Sequence, residues 1–264
     1  AWTFSRPGEG PLGPAPQGLR VTVLDVGQGD SILVQAPGAN ILVDQAEPRA
    51  NVATRLRALG VEALDLLVFS HPQRDHLGGA PAVIERFRVG SIVDPGLDVE
   101  SSDYDEALAR AEERGVPVVT ARQGMSFRAG GLRVDVLWPQ DAGSPADDPN
   151  DLSVVLLVSY GAVDVLLTGD AESPVLSRLD LPEIEVLKVS HHGSADEGLS
   201  AVLERIQPAV AVISAGEGNR FGHPHPDTLA ALRARDVVVY RTDAHGDVTL
   251  ESLDGRSITV ATQR

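Results

Sequence analysis

The sequence contains no cysteine, which excludes disulfides, thiolate metal ligation and a cysteine nucleophile. Any metal must therefore sit on His, Asp or Glu, and oxygen-rich ligation suits Mn, Mg or Zn better than copper. Lysine is nearly absent, with Lys188 alone among 22 basic Lys and Arg residues. The formal net charge of −16 disfavours a broad electrostatic grip on nucleic acid, which draws chiefly on Lys and Arg. A pocket for a divalent cation needs carboxylates, however, so acidity lowers the case for a polyanionic substrate without cancelling it. No apolar run reaches the roughly 18 residues that span a bilayer. The first residues also lack the basic and apolar regions of a signal peptide, so targeting information is not expected within this sequence.

What is present is enough for a real core, with 42% hydrophobic residues in 264. Residues 1–18 are rich in Pro and Gly and read as a linker or arm, and the folded unit is expected over 19–264 as one domain. From Leu19 onward, short β-type runs alternate with amphipathic helical patterns. Strands are predicted at Arg20–Val26, Ile32–Gln35, Asn40–Val43, Leu64–Phe69, Leu132–Trp138, Ser153–Ser159, Val163–Leu167, Ile184–Val189, Ala209–Ile213 and Val237–Tyr240. Helices are predicted near Asn51–Leu59, Ala80–Phe87, Tyr104–Arg114, Pro174–Leu179, Leu199–Ile206 and Asp227–Ala234. Asp141–Asn150 reads as an acidic loop too short to link two domains. The alternation gives an α/β domain with a great deal of strand.

Four apolar runs are each followed at once by ligand-type residues. Ile41-Leu42-Val43 leads into Asp44, Leu66–Phe69 into His71, Asp75 and His76, Val165–Leu167 into Thr168-Gly169-Asp170, and Val186–Val189 into Ser190-His191-His192. Sites in α/β sheets form outside the carboxyl ends of strands, so such ends can meet in space. Each piece alone has a bland reading. Gly169-Asp170 is most often a turn, and Asp75, just ahead of Leu77-Gly78-Gly79, could merely cap a helix. The conjunction is what carries the site.

The order Asp44, His71-x-Gln73-x-Asp75-His76, Thr168-Gly169-Asp170 and a strand-end His resembles the metallo-β-lactamase fold, whose motif is His-x-His-x-Asp-His. More narrowly, five ordered segments resemble the β-lactamase-like domain of the ComEC DNA-uptake channel family. They are Leu24–Ser31 (LDVGQGDS), Ser70-His71-Pro72, Asn150–Leu156 (NDLSVVL), Lys188–Ser194 (KVSHHGS) and Gly222–Pro226 (GHPHP). The resemblance implies a four-layer αββα sandwich with the site at one edge of the two sheets. It also implies a domain of a membrane protein, on the extracytoplasmic side of the membrane, that degrades the non-transported DNA strand. A monomer working beside the membrane channel portion of the same protein is expected.

Carried over by position, His71, Asp75, His76, Asp170 and His191 are the expected ligands of a divalent metal, Mn first, with Zn or Mg as alternatives. Gln73 stands where the second motif histidine usually sits, and Asn150 or Ser153 stands where another ligand is usual. Both changes deplete one metal position and leave one firm site beside a weak or substrate-assisted one. Such a cation lowers the pKa of water from about 15.7 to about 7. Asp75, with Lys188, His223 and His225, makes up the expected catalytic set, His223 or His225 supplying an acid where a metal is missing. Gln28, Arg74, Ser153, His192 and Ser194 are the expected substrate contacts. Asp44, Asp25, Gln73 and Asn150 are expected behind the ligands, orienting them.

Several of these residues keep an alternative reading. Lys188 either neutralises substrate phosphate or snorkels at the surface. His223-Pro224-His225 is either catalytic or a rigid turn, and Gly27-Gln28-Gly29 either approaches phosphate or merely turns a hairpin. The leading expectation is a deoxyribonuclease of single-stranded DNA, with backbone-directed contacts because aromatics make up only 4% of residues. The alternatives are hydrolysis of a small ester, lactone or thioester, and a metal-stabilised docking module.

Overall fold

The computed structural model describes residues 16–97, 99–141 and 148–264. Most of the arm expected over 1–18, and most of the acidic loop 141–150, lie outside the described residues. The chain begins with β1 (Leu19–Val23), β2 (Ile32–Ala36), β3 (Ala39–Val43), β4 (Ala63–Val68), β5 (Arg88–Asp94) and β6 (Val118–Thr120), which lie in this order in one sheet. A second sheet holds β7 (Ser126–Ala129), β8 (Leu132–Trp138), β9 (Val155–Tyr160), β10 (Val163–Leu167), β11 (Val186–Lys188), β12 (Val210–Ile213) and β13 (Val238–Arg241), again neighbour to neighbour. The chain then returns to the first sheet with β14 (Val248–Ser252) and β15 (Thr259–Thr262), β14 pairing with β1.

Period-two alternation explains how the layers stack. Along β10, Val165 and Leu167 face the other sheet, where they meet β4's Leu66 and Val68 and β1's Val21 and Val23. Leu166 between them faces outward, into a separate cluster with Val175, Leu176, Val202, Leu203 and Leu232. Those residues belong to α5 to α7, so the helices are set out here in chain order: α1 (Val52–Ala58), α2 (Arg74–Leu77), α3 (Ala80–Arg86), α4 (Ser102–Glu113), α5 (Ser173–Leu176), α6 (Leu199–Ile206), α7 (Pro226–Arg233) and α8 (Thr242–His245). On the first sheet Leu33, Leu42 and Leu67 face outward against Leu56 of α1, Val83 and Ile84 of α3 and Tyr104 of α4. The result is the four-layer αββα sandwich, in one domain.

The strand-end rule operates because of strand direction. β3, β4, β5 and β6 run parallel, as do β10, β11, β12 and β13, while the remaining neighbours are antiparallel. Val43 lies opposite Val68, and Leu167 opposite Lys188, so the loops after these strands open side by side. A backbone bond from Val154 N–H to Ser70 O at 2.8 Å joins the two sheets at that edge. Gly169 sits at the closest approach, with φ +52°, and a Cβ there would stand 3.0 Å from the Cβ atoms of both Ser70 and Ser153. Glycine is thus required at this position twice over, by conformation and by space.

Candidate metal centre

The loops after β4, β10 and β11 bring His71, Asp75, His76, Asp170 and His192 into one largely buried cluster. His76 Nε2 lies 3.3 Å from His192 Nε2 and 3.3 Å from Asp170 Oδ1. His192 Nε2 lies 3.5 Å from Asp75 Oδ2 and 3.7 Å from Asp170 Oδ2, and His71 Nε2 stands 3.8 Å from Asp170 Oδ2. Two ligand atoms bound tetrahedrally at about 2.0–2.2 Å would stand roughly 3.3–3.5 Å apart, close to these separations.

The remaining ring nitrogens point to acceptors and so fix the tautomers. His76 Nδ1 faces Asp44 Oδ2 at 2.8 Å, and His192 Nδ1 faces the Ser214 carbonyl at 3.1 Å. His191 Nδ1 faces Glu172 Oε1 at 2.9 Å. Ser70 Oγ donates to Asp44 Oδ2 at 2.7 Å and is left to accept from His71 Nδ1 at 3.0 Å. Each Nδ1 carries the proton, and each Nε2 offers a lone pair. Three of those lone pairs, from His71, His76 and His192, thus converge with acceptor-only carboxylates. His71 Nε2 and both oxygens of Asp170 are buried without a hydrogen-bond partner. The 3.3 Å approach of His76 Nε2 to Asp170 Oδ1 lacks hydrogen-bond geometry. Buried polar atoms left this way cost about 1–3 kcal/mol each, and more when charged. A cation relieves them all, and imidazole mixed with carboxylate suits Mn or Zn. The residues present fit a divalent metal.

The charges of the site point the same way. Burial pushes the Asp170 carboxyl up, yet the His76 and His192 imidazoles hold it well below the usual carboxylate range. Burial pushes His76 and His192 down, but Asp170 with Asp44 raises His76, and Asp170 with Asp30 and Asp75 raises His192 to about 9. Burial drives His71 down to about 3, with the neighbouring His76 acting in the same direction. The carboxylates draw positive charge to the point where the Nε2 atoms meet.

Local backbone geometry is unusual here. His191 (φ 46°, ψ 47°) and His192 (φ 54°, ψ 21°) are both left-handed, followed by Gly193 at φ 78°. Non-glycine residues in that region store strain of about 1–3 kcal/mol each and persist where the surroundings over-determine them. The turn sends the two rings apart. His192 goes inward, 1% exposed, while His191 stays half-buried with its Nε2 3.8 Å from Asp170 Oδ2. His192, expected as a substrate contact, thus stands nearer the cluster than His191, the expected ligand.

A cleft of about 580 Å³ opens over the cluster. Asp75, Asp170, His191, His192 and His223 line it, together with Gln28, Gln73, Arg74, Arg220 and Phe221. Arg74 lies at this cleft with its Nη1 donating to both carboxylate oxygens of Asp103, at 2.7 and 3.0 Å. Gln73 Nε2 donates to Asn150 Oδ1 at 2.5 Å. Asp44, besides holding His76, accepts from Ser70 N–H at 2.8 Å.

Other expected residues fall elsewhere. Lys188 neither reaches the cleft nor snorkels. β11 is an interior strand, and the ammonium is buried against Asp30 Oδ2 at 2.7 Å while donating to Val189 O at 3.0 Å. His225 does not line the cleft; its Nδ1 accepts from Asp227 N–H at 3.3 Å and caps α7. His223 does line it, and burial first, then repulsion from His192 and His191, lowers its pKa, which favours the neutral ring at neutral pH. Ser153 is fully buried and accepts from Asp170 N–H at 3.2 Å, which leaves it no face for substrate. Ser194 donates to the Glu172 carboxylate. Asp25 lies off the cleft, pairing with Arg264 at 2.7 Å. The Gly27–Gly29 segment lies in the β1–β2 hairpin connection, where Gly29 packs so closely on Asp75 O that a Cβ would stand 2.0 Å from it.

Among the residues that the sequence reading passed over, two stand behind the histidines. Asp30 lies under His192, with Oδ1 3.4 Å from its Nδ1, and Glu172 holds His191. The signals were available: Asp30 ends the glycine-bearing LDVGQGD segment, and Glu172 follows Asp170 by two residues.

Residues 24–217 match the metallo-beta-lactamase superfamily as a family. The chain is 32% identical over 252 residues to ComE operon protein 3 of Bacillus subtilis (strain 168), covering 86% of this chain and 32% of that protein. It is 32% identical over 235 residues to Competence protein ComA of Neisseria gonorrhoeae, covering 86% of this chain and 31% of that protein. The chain therefore spans about a third of the length of these relatives. Among solved structures, the metallo-beta-lactamase fold protein YhfI from Bacillus subtilis superposes with a TM-score of 0.59 at 12% identity, over 85% of this chain and 96% of that one, a likeness of fold alone.

Proposed function

The chain belongs to the metallo-β-lactamase superfamily, and on that footing we propose that it is a metal-dependent phosphodiesterase that cuts single-stranded DNA during DNA uptake. The observation that carries this reading is the convergence of the unpartnered His71 Nε2 and Asp170 carboxylate with His76, His192 and Asp75 at an open, arginine-bordered cleft. His71, His76, His192, Asp75 and Asp170 would hold the metal, with His191 beside them. When bound, a divalent cation supplies Lewis acidity to a phosphoryl oxygen and hydroxide at neutral pH.

The protein's own groups do the rest. Arg74 and Arg220 border the cleft and meet substrate phosphates, Arg74 already oriented by Asp103. Asp44 and Glu172 keep His76 and His191 in one tautomer, so that their Nε2 atoms face inward. His223, held neutral, accepts a proton at its unpartnered Nδ1. The acidic surface keeps DNA contacts local to the cleft.

The context is proposed from the relatives, one of which is named a competence protein. Among the described residues no helix is long and apolar enough to cross a membrane. The domain works as a monomer beside a membrane-embedded portion of a longer protein, on its extracytoplasmic side, and degrades the strand that is not transported. Labelled single-stranded DNA incubated with Mn and wild-type protein tests the reading. Shortened products that disappear with Asp75→Ala support it. Identical behaviour of wild type and Asp75→Ala would sink it, and turnover of small esters alone would favour a different hydrolase.

A further inference from the structure

We propose that Phe221, with Arg220 and His223, forms a seat for one unpaired nucleobase at the cleft, a claim that rests on the single-stranded DNA reading above. The chain has five phenylalanines. Phe69 and Phe87 are buried in the core, whereas Phe221 is 55% exposed. An exposed aromatic ring forgoes hydrophobic burial, and at a cleft it offers a flat face on which a base can stack. The other exposed large hydrophobics among the described residues, Val118, Val238 and Leu253, do not line this cleft.

The ring is presented on a rigid loop. One side chain, Asn219, ties it together. Its Nδ2 donates to the carbonyls of Gly216 at 2.9 Å and His223 at 2.6 Å, and its Oδ1 accepts from Phe221 N–H and His223 N–H, both at 3.1 Å. Gly216 packs on the Gln28 loop, where a Cβ would stand 3.0 Å from Gln28 N. A surface already ordered before binding costs little entropy to use.

The neighbours of the ring suit a nucleotide. The Arg220 guanidinium lies 5.0 Å from the ring centroid and has no ion pair among the described residues. Stacking of a base on an aromatic ring is stronger than an exposed cation–π contact. A base therefore takes the ring, and Arg220 swings to the adjoining phosphate. On the cleft side, the His223 ring lies 5.8 Å from Phe221, tilted by 27°. His223 in turn stands 6.3 Å from His192 and 5.7 Å from His191. A base on Phe221 thus places the neighbouring phosphodiester over His223 and the buried cluster. A chain of net charge −16 gains from this arrangement, because stacking holds a polyanion without requiring a broad basic surface.

The test compares an oligothymidylate with an abasic strand of equal length, metal being present throughout. Phe221→Leu should lower kcat/KM on oligothymidylate by about 5- to 150-fold, mostly through KM, and leave the abasic strand unchanged. The loss should persist at high salt, where phosphate contacts weaken. Phe221→Trp, corrected for the emission of Trp2 and Trp138, should be quenched by oligothymidylate and not by the abasic strand. Phe221→Leu handling both strands like wild type, or Phe221→Trp responding equally to both, would overturn the seat. Base-dependent quenching without any cleavage by wild type would support the seat and contradict the nuclease reading. Cleavage by wild type with no dependence on Phe221 would remove the seat alone.

Discussion

The side chains of Gln73 and Asn150 bind each other, Nε2 to Oδ1 at 2.5 Å, at the positions where the family resemblance leads one to expect metal-binding residues. Two carboxamides satisfied by one another have little to offer a transition metal, while the cluster of Asp75, His76, Asp170 and His192 beside them is intact. Elemental analysis after dialysis against Mn should find about one firmly held ion per chain, rising toward two in the double variant Gln73→His, Asn150→His. A wild-type content of two, or a double variant that gains nothing, would show that the pair does not set metal stoichiometry.

Asp44 acts through His76. Its Oδ2 accepts from His76 Nδ1–H at 2.8 Å, and its Oδ1 is fixed by Ser70 N–H. Removing such an orienting carboxylate typically costs about 10–100-fold in metal affinity. Asp44→Ala should weaken Mn binding by that factor in a competition titration, with Asp44→Glu recovering part of the loss. Affinity equal to wild type would show that packing alone orients His76.

Lys188 and Asp30 form a buried ion pair at 2.7 Å, each 1% exposed or less. Cutting one partner leaves the other charge unpaired, at about 3–5 kcal/mol, so Lys188→Met should lower the denaturation midpoint strongly. Lys188→Met combined with Asp30→Leu should be milder than the sum of the single variants. Additive losses would deny the coupling.

The same pair predicts an acid response. Burial raises the Asp30 carboxyl, but Lys188 and then His192 hold it below its ordinary value. A depressed carboxyl stabilises the fold above its unfolded pKa, about 3.9, and that contribution is lost as pH falls through the folded value. Wild type should therefore lose stability below about pH 4 more steeply than the double variant, measured as unfolding midpoint against pH. Parallel curves would contradict this.

Much of the site could be read along the chain because a strand end is a local signal: an apolar run followed by Asp44, His71, Asp170 or His192 is visible in a few letters. Both strands Leu132–Trp138 and Val163–Leu167 and the helix Leu199–Ile206 keep their predicted bounds for the same reason. The strands that went unread lack such a signal. β5 opens on Arg88 and contains Gly90 and Ser91, β6 and β7 are three and four residues long, and β14 is a strand only through its long-range pairing with β1. Lys188 was unreadable in another way, since its partner lies 158 positions earlier on the opposite sheet's hairpin and nothing local distinguishes a buried ammonium from an exposed one. Which ring of the left-handed pair His191-His192 points inward is likewise set by the backbone turn, which no local residue pattern displays.

The most direct measurement is single-turnover cleavage of end-labelled single-stranded DNA by wild type and Asp170→Asn, first in chelator and then with Mn restored. Wild type should be silent in chelator and active after Mn is returned, while Asp170→Asn, which loses a carboxylate shared by His71, His76 and His192, should stay at background in both. Cleavage that survives chelation, or that Asp170→Asn retains undiminished, would contradict a metal-dependent nuclease at this cluster.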